Sequence, residues 1–237
     1  NATYNWLYST EANAEQVNRR IPQPRGKTLG GSSAINGMVY IRGHASDYDQ
    51  WRQFGNAGWS YDDVLPYFKK AEDQQRGEDE FHGVGGPLAV SDVYEKHPLA
   101  AAFIESAVDA GFERNDDFNG AEQEGFGYVQ WTMRNGRRCS TAVGYLKPAR
   151  KRPNLTVATN ALGLRVLFDG RRAVGVEYDQ NGETKTAHAG GEVIVSGGAI
   201  NSPQLLQLSG LGPADLLRTH GIDVIADIPG VGQHLQD

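Results

Sequence analysis

Hydrophobic and polar positions change their rhythm along this chain, from isolated helical patterns before about residue 140 to short β-prone runs after it. The first twenty residues carry few periodic apolar positions, and Pro22 and Pro24 keep the chain around them out of helix, so an extended, polar segment is expected. Ala34-Ile35 and Met38–Ile41 are apolar, and their period fits a helical turn or a buried strand equally well. Ser60 and Asp63 have the spacing of a capping box, with Val64, Leu65, Tyr67, Phe68 and Ala71 forming the apolar face of a helix behind it. Glu72–Glu80, charged and broken by Gly77, is expected as a surface loop, and His82–Pro87 as a Gly-rich turn. Pro98 and Gly111 bracket a second helix, in which Leu99, Phe103, Ile104, Ala107 and Val108 share a face. Asn115–Gly120 has turn chemistry and is expected as a solvated loop.

Ser140 can cap a short helix through Leu146, after which strands take over. Leu155–Ala158, Leu164–Phe168, Ala173–Tyr178 and Thr184–His188 are β-prone, and Asp169-Gly170 and Asn181-Gly182 are hairpin signals between them. The expectation is a small antiparallel meander. Glu192–Ser196 is a compact apolar strand expected to return to the first unit's sheet. It runs into Gly197-Gly198 and then a helix over Gln204–Ser209, with Ser202 as cap and Pro203 at the first helical position. A strand, a Gly turn and a helix N-terminus can face a ligand with free N–H groups, and the same pattern is also an ordinary tight connection. Pro213–His220 reads as a helix ended by Gly221, and Val224–Ile228 as a strand. The fold class is mixed α/β, with residues 1–150 and 151–237 as two parts divided near Arg150–Pro153.

Composition narrows the function classes. A chain of 237 residues with net charge −6 and no basic block argues against nucleic acid. No apolar run reaches membrane-span length and no charged-then-apolar leader opens the chain, so a cytoplasmic protein is expected. One cysteine excludes an internal disulfide framework, and six scattered histidines are expected to be surface or structural. Opening without Met and stopping at Gln236-Asp237, the sequence reads as a piece of a longer one.

The densest chemistry lies in Pro24–His44. Gly30-Gly31-Ser32-Ser33 removes Cβ atoms so that backbone N–H groups can approach a ligand, the hydroxyls add donors, and Arg25 and Lys27 add positive charge. This suits a phosphate or pyrophosphate, although a bare GGSS can simply turn a corner. The second Gly run fails as a dinucleotide fingerprint, since the sixth position from Gly83 is Leu88 and Pro87 interrupts. Asp47 and Asp49 are too loosely specified for a carboxylate pair, and Cys139 and Ser140 lack a nucleophile's context. Asp116-Asp117 lacks EF-hand spacing.

The Pro24–His44 run resembles the first signature of the glucose–methanol–choline (GMC) family of FAD-dependent alcohol oxidoreductases, and Gly198–Gly212, GAINSPQLLQLSGLG, resembles its second. RGHASDYDQW, GWSYDDVLPYFKKAED and RCSTAVGYL also resemble family text, so the likeness covers essentially the whole chain. The resemblance implies part of an FAD/NAD(P)-binding-like fold with a small antiparallel meander, interrupted by helices. It implies hydride transfer from a small-molecule alcohol to FAD, with the electron acceptor left open. Carried over by position, Thr28, Gly31 and Ser32 bind the cofactor, Ser32 and its glycines at the pyrophosphate. Asn36, Gly37, Met38 and Val39 line the isoalloxazine ring. Gly163 takes a position where a backbone group meets the adenine. Ile35 stands where some members link a His covalently to the flavin, so non-covalent FAD is expected. The family's dinucleotide fingerprint would lie upstream of Asn1 and its catalytic base beyond Asp237, leaving no catalytic residue here and excluding His234 as the base. Two other classes stay open: a hydroxynitrile lyase on the same scaffold and a non-catalytic flavin- or nucleotide-binding module.

Overall fold

The computed structural model describes residues 2–235, so Gln236 and Asp237, the last of the run leading toward the expected base, lie outside it. The chain divides into two compact units, Asn1–Leu155 and Thr156–Asp237.

The first unit is a set of short paired strands and helices. The proline-bounded opening forms a two-residue ladder, β1 (Tyr8–Ser9) against β2 (Pro22–Gln23). The Gly-Ser run makes a 3-10 turn, Gly31–Ala34, and the following apolar step is strand β3 (Val39–Tyr40). Helix α1 (Ala45–Gln53) has no counterpart in the apolar pattern because only Ala45, Tyr48 and Trp51 break its run of polar residues; a capping box of His44 and Asp47 starts it. The box at Ser60 and Asp63 opens α2 (Tyr61–Ala71) as the spacing predicts, but Tyr67 is 70% exposed and lies off the packed face. Strand β4 (Glu72–Gln74) runs parallel to β5 (Leu88–Val90), and Gly83 and Gly86 of the turn between them press on the Lys69, Ala71 and Glu72 backbone. Helix α3 (Pro98–Asp109) begins at the proline and is capped by His97; Ile104 and Ala107 are buried, whereas Leu99 and Phe103 stand exposed. Strand β6 (Gln130–Trp131) pairs with β3, and β7 (Met133–Arg134) with β8 (Arg137–Arg138). A π-helical turn, Ala142–Leu146, then leads into α4 (Lys147–Ala149), with Val143 N–H 3.4 Å from Ser140 Oγ.

Glu72–Glu80 and Asn115–Gly120, expected at the surface, send single residues into the polar core of this unit, while Gln75, Arg76, Glu78–Glu80 and Asp116 stay exposed. Glu72 is fully buried and Gln74, His82 and Asn119 nearly so. The Glu72 carboxylate accepts from Arg42 Nη2 at 2.8 Å and from Gly83 N–H at 3.2 Å, and meets His82 Nδ1 at 3.1 Å. The other ring nitrogen of His82 lies 2.8 Å from Asp117. Asn119 accepts from Arg42 N–H at 2.7 Å and donates to Tyr40 O at 3.2 Å. Composition signals exposure, but a buried charge is tolerated when its lone pairs are filled, and here they are.

The second unit holds the meander, strand order β11-β10-β9: β9 (Ala161–Asp169), β10 (Arg172–Gln180) and β11 (Glu183–His188), antiparallel throughout and turned at the two Xaa-Gly pairs. Leu155–Ala158 and Glu192–Ser196 are not strands; among the described residues neither finds a ladder partner, and β-propensity without one does not make a strand. Helix α5 spans Gly198–Leu208, starting five residues before Pro203, so Ser202 is interior and caps nothing. Its end docks on the meander through Ser209, whose Oγ accepts from Val166 N–H at 2.8 Å and donates to Leu205 O at 2.6 Å. Strand β12 (Leu211–Gly212) pairs in parallel with β13 (Ala226–Asp227), and between them α6 (Ala214–Thr219) buries Leu217. Gly221 follows it at φ 68°, a conformation that favours glycine.

Hydrogen bonds to Asp117 and then Glu72 push the His82 pKa up to about 9 against the opposing effect of burial, so the ring is an imidazolium at neutral pH. A folded-state pKa above the unfolded value adds stability fully present below about pH 6.5 and lost as pH rises through about 9. Glu72→Gln is expected to destabilise by about 3–5 kcal/mol by stranding Arg42. In the full-length polypeptide, wild type should lose melting temperature between neutral and alkaline pH more steeply than His82→Gln, which starts lower; parallel curves would contradict the protonated pair.

Candidate functional site

Thr28, Gly31, Ser32, Asn36, Gly37, Met38 and Val39 share one loop of the first unit, from the end of the opening ladder to β3. Gly30 and Gly31 both have positive φ, 88° and 53°, which reverses the chain into the 3-10 turn. Thr28 O accepts from Gly31 N–H at 2.9 Å, closing the bend. Ser32 Oγ accepts from Gly26 N–H at 3.1 Å and keeps its own proton for donation. A Cβ at Gly26 would overlap the Gly31 carbonyl, so only glycine lets these two backbones touch. Arg25 and Lys27 are held beside the loop, Arg25 Nη1 donating to Pro24 O at 2.8 Å and Lys27 Nζ lying 4.8 Å from the centre of the Trp6 ring.

The back of the loop is tied to residues 138–141, more than a hundred positions away in sequence. Arg138 Nη1 donates to Asn36 Oδ1 at 2.6 Å and Ser33 O at 3.1 Å, and its Nη2 to Asn36 O at 2.8 Å. Thr141 N–H donates to Ser33 Oγ at 3.0 Å, and Ser33 Oγ to Gly30 O at 2.5 Å. Asn36 Oδ1 also accepts from Met38 N–H at 3.2 Å, and Met38 O accepts from Thr132 N–H at 2.8 Å. Met38 is thereby held at φ 66°, a left-handed conformation that a side chain adopts at a cost on the order of 1 kcal/mol.

The front is open. Nothing lies within 4 Å of where a Cβ would stand on Gly31 or Gly37. Ser32, Asn36 and Gly37 are exposed, and Leu29, Ile35, Val39 and Ile41 present apolar surface beside them. Such a surface offers backbone donors, one hydroxyl and flat apolar walls, which is the donor set for a phosphorylated aromatic ligand. Gly163 lies in β9 of the second unit, opposite Tyr178, with the Leu205 methyls 3.8 Å from where its Cβ would point.

A family model for GMC oxidoreductases matches residues 4–237. The chain belongs to that family. It is 51% identical to the oxygen-dependent choline dehydrogenase of Brucella anthropi over 235 residues, which are 99% of this chain and 43% of that protein. It is also 51% identical to the mitochondrial choline dehydrogenase of Homo sapiens, covering 99% of this chain and 39% of that one. Among solved structures, pyridoxine 4-oxidase from Mesorbium loti superposes with TM-score 0.91 at 36% identity, over 95% of this chain and 45% of its own. An FAD-dependent oxidoreductase from Chaetomium thermophilum superposes with TM-score 0.90 at 29% identity, over 96% and 42%. The GMC chain therefore spans about two fifths of the length of the curated relatives it matches.

Arg138 and Thr141, which sequence reasoning leaves out of the site, hold this GMC loop together with Ser33, whose hydroxyl, expected as a donor to the ligand, donates to Gly30 O instead. The signal was present, since RCSTAVGYL resembles family text, but only the fold shows that its arginine and threonine reach Gly30–Asn36. The remaining candidates serve as structure. Cys139 is buried, its Sγ 3.6 Å from Pro87 O. His44 and His97 cap helices, and Asp117 is held below the usual carboxylate range, first by its hydrogen bond to His82. Among the described residues no group of three or more His, Cys, Asp or Glu could hold a metal ion, and no helix is long and apolar enough to cross a membrane.

Gly26→Ala should force the Gly31–Ser32 backbone aside and destabilise the full-length polypeptide by about 1–3 kcal/mol. Its thermal unfolding midpoint tests this, and an unshifted midpoint would mean that the contact yields freely.

Proposed function

We propose that this chain forms the flavin-facing part of an FAD-dependent oxidoreductase that takes hydride from the CH–OH carbon of a small alcohol, with choline the first candidate. The observation that carries the reading is the loop tied from behind by residues 138–141, with Gly31 and Gly37 bare on its open side. FAD fits this donor set: Thr28, Gly31 and Ser32 would face the pyrophosphate, and Asn36, Gly37, Met38 and Val39 the isoalloxazine. When bound, the flavin supplies the hydride acceptor. This chain's residues bind and orient. The Ser32 hydroxyl has a proton to donate, and the fixed 36–39 backbone sets where the ring edge can sit. Membership of the GMC family and the likeness to two choline dehydrogenases support the reaction class and the substrate.

Two finer points belong to the same reading. Ile35, 36% exposed, offers no nucleophile for a covalent flavin link, which supports dissociable FAD. In this reading none of His44, His82 and His97 serves as the proton acceptor: His44 and His97 cap helices, and His82 pairs with Glu72.

Anaerobic addition of choline to the full-length holoenzyme should bleach the visible flavin band, and acid precipitation should leave the flavin in the supernatant. An unbleached band with choline and with other small alcohols would overturn the oxidoreductase reading. Flavin retained in the precipitate would overturn dissociable binding.

A further inference from the structure

We propose that Arg138 is a positioning residue for the flavin reaction: it fixes the Asn36–Met38 backbone and backs that loop with positive charge no carboxylate neutralises. The inference rests on the reading of this loop as flavin-facing. All three hydrogen bonds found for its guanidinium go to uncharged oxygens, Ser33 O at 3.1 Å, Asn36 Oδ1 at 2.6 Å and Asn36 O at 2.8 Å. The planar fork is what joins them, because two of its nitrogens address the backbone and side chain of one residue together. Asn36, so fixed, gives its remaining Oδ1 capacity to Met38 N–H and holds the left-handed turn that leads into β3.

The surroundings leave the charge uncompensated. Arg138 lines a cavity of about 970 Å³ with Arg134, Arg137, Lys147 and Lys151, and no acidic side chain lines it. Of these cations Arg134 pairs with Asp73, at 2.6 Å, whereas Arg138 has no carboxylate partner among the described residues. A fixed positive charge behind a loop that faces a flavin favours the ring in its reduced, more negative form. Lysine keeps the charge but cannot make the three-way fork. Glutamine keeps neither. The two substitutions therefore separate geometry from field.

The test uses the full-length holoenzyme with three variants, Arg138→Lys, Arg138→Gln and, as a control from the same cavity wall that makes no bond to the loop, Arg137→Gln. Two quantities are read, the dissociation constant of oxidised FAD and the flavin midpoint potential. Arg138→Gln should weaken FAD binding at least tenfold. It should also lower the preference for reduced over oxidised flavin about tenfold, roughly 30 mV for a two-electron couple. Arg138→Lys should weaken binding while keeping the wild-type potential, and Arg137→Gln should change neither. Unchanged affinity and potential in Arg138→Gln would overturn the proposal, as would an equal shift in Arg137→Gln, which would make the effect a general field. Should Arg138→Gln not fold, Arg138→Lys decides alone: wild-type affinity in it overturns the role of the fork. Wild-type protein that carries flavin yet is not bleached by alcohol would fail the proposed reaction without touching this result, because neither readout depends on turnover.

Discussion

Removing a carboxylate from water is costly unless every lone pair finds a donor, and in the first unit that requirement falls on Glu72. Its donors come from separate stretches: Arg42 just after β3, His82 and Gly83 from the Gly-rich turn. The Asn-rich loop joins by way of Asp117 on His82 and Asn119 on the Arg42 amide. The short strands of this unit could not fix one another, since most ladders are only two or three residues long. The buried charges join segments that these short ladders leave unlinked.

That constraint reaches the candidate site through a few residues of backbone. Arg42 follows β3, and β3 continues the loop at Asn36–Met38. One end of the segment is therefore held by a buried ion network, the middle by the Arg138 fork, and the start by the Gly26–Ser32 contact. The loop is rigid behind and bare in front, the arrangement by which a site sets a ligand's orientation before the ligand arrives.

Much of this was legible in the residues. The GGSS turn, the capping box at Ser60, the proline start of α3 and the meander with its Xaa-Gly turns all depend on neighbours in sequence, and local chemistry decides them. What escaped depends on partners far away. Glu72 and Gln74 read as solvated because their charge is visible in sequence while Arg42, His82 and Gln130 are not visibly beside them. Arg138 escapes for the same reason, its partners lying more than a hundred positions upstream. Helix α1 packs mainly through Tyr48 on Tyr61 and Phe68, and two aromatics among polar residues leave too thin a stripe to find. The early start of α5 runs against the usual place of proline at the first helical position, a preference that the Gly197-Gly198 turn overrides.

The segment Glu192–Ser196 carries a further meaning. Val193, Ile194 and Val195 are residue types that favour a buried strand, yet among the described residues they have no ladder, and Ile194 is 81% exposed. A β-branched stretch with vacant backbone donors and acceptors recruits whatever edge it meets, including the same stretch on another molecule. Left bare, this short tract is where a further strand edge would pair.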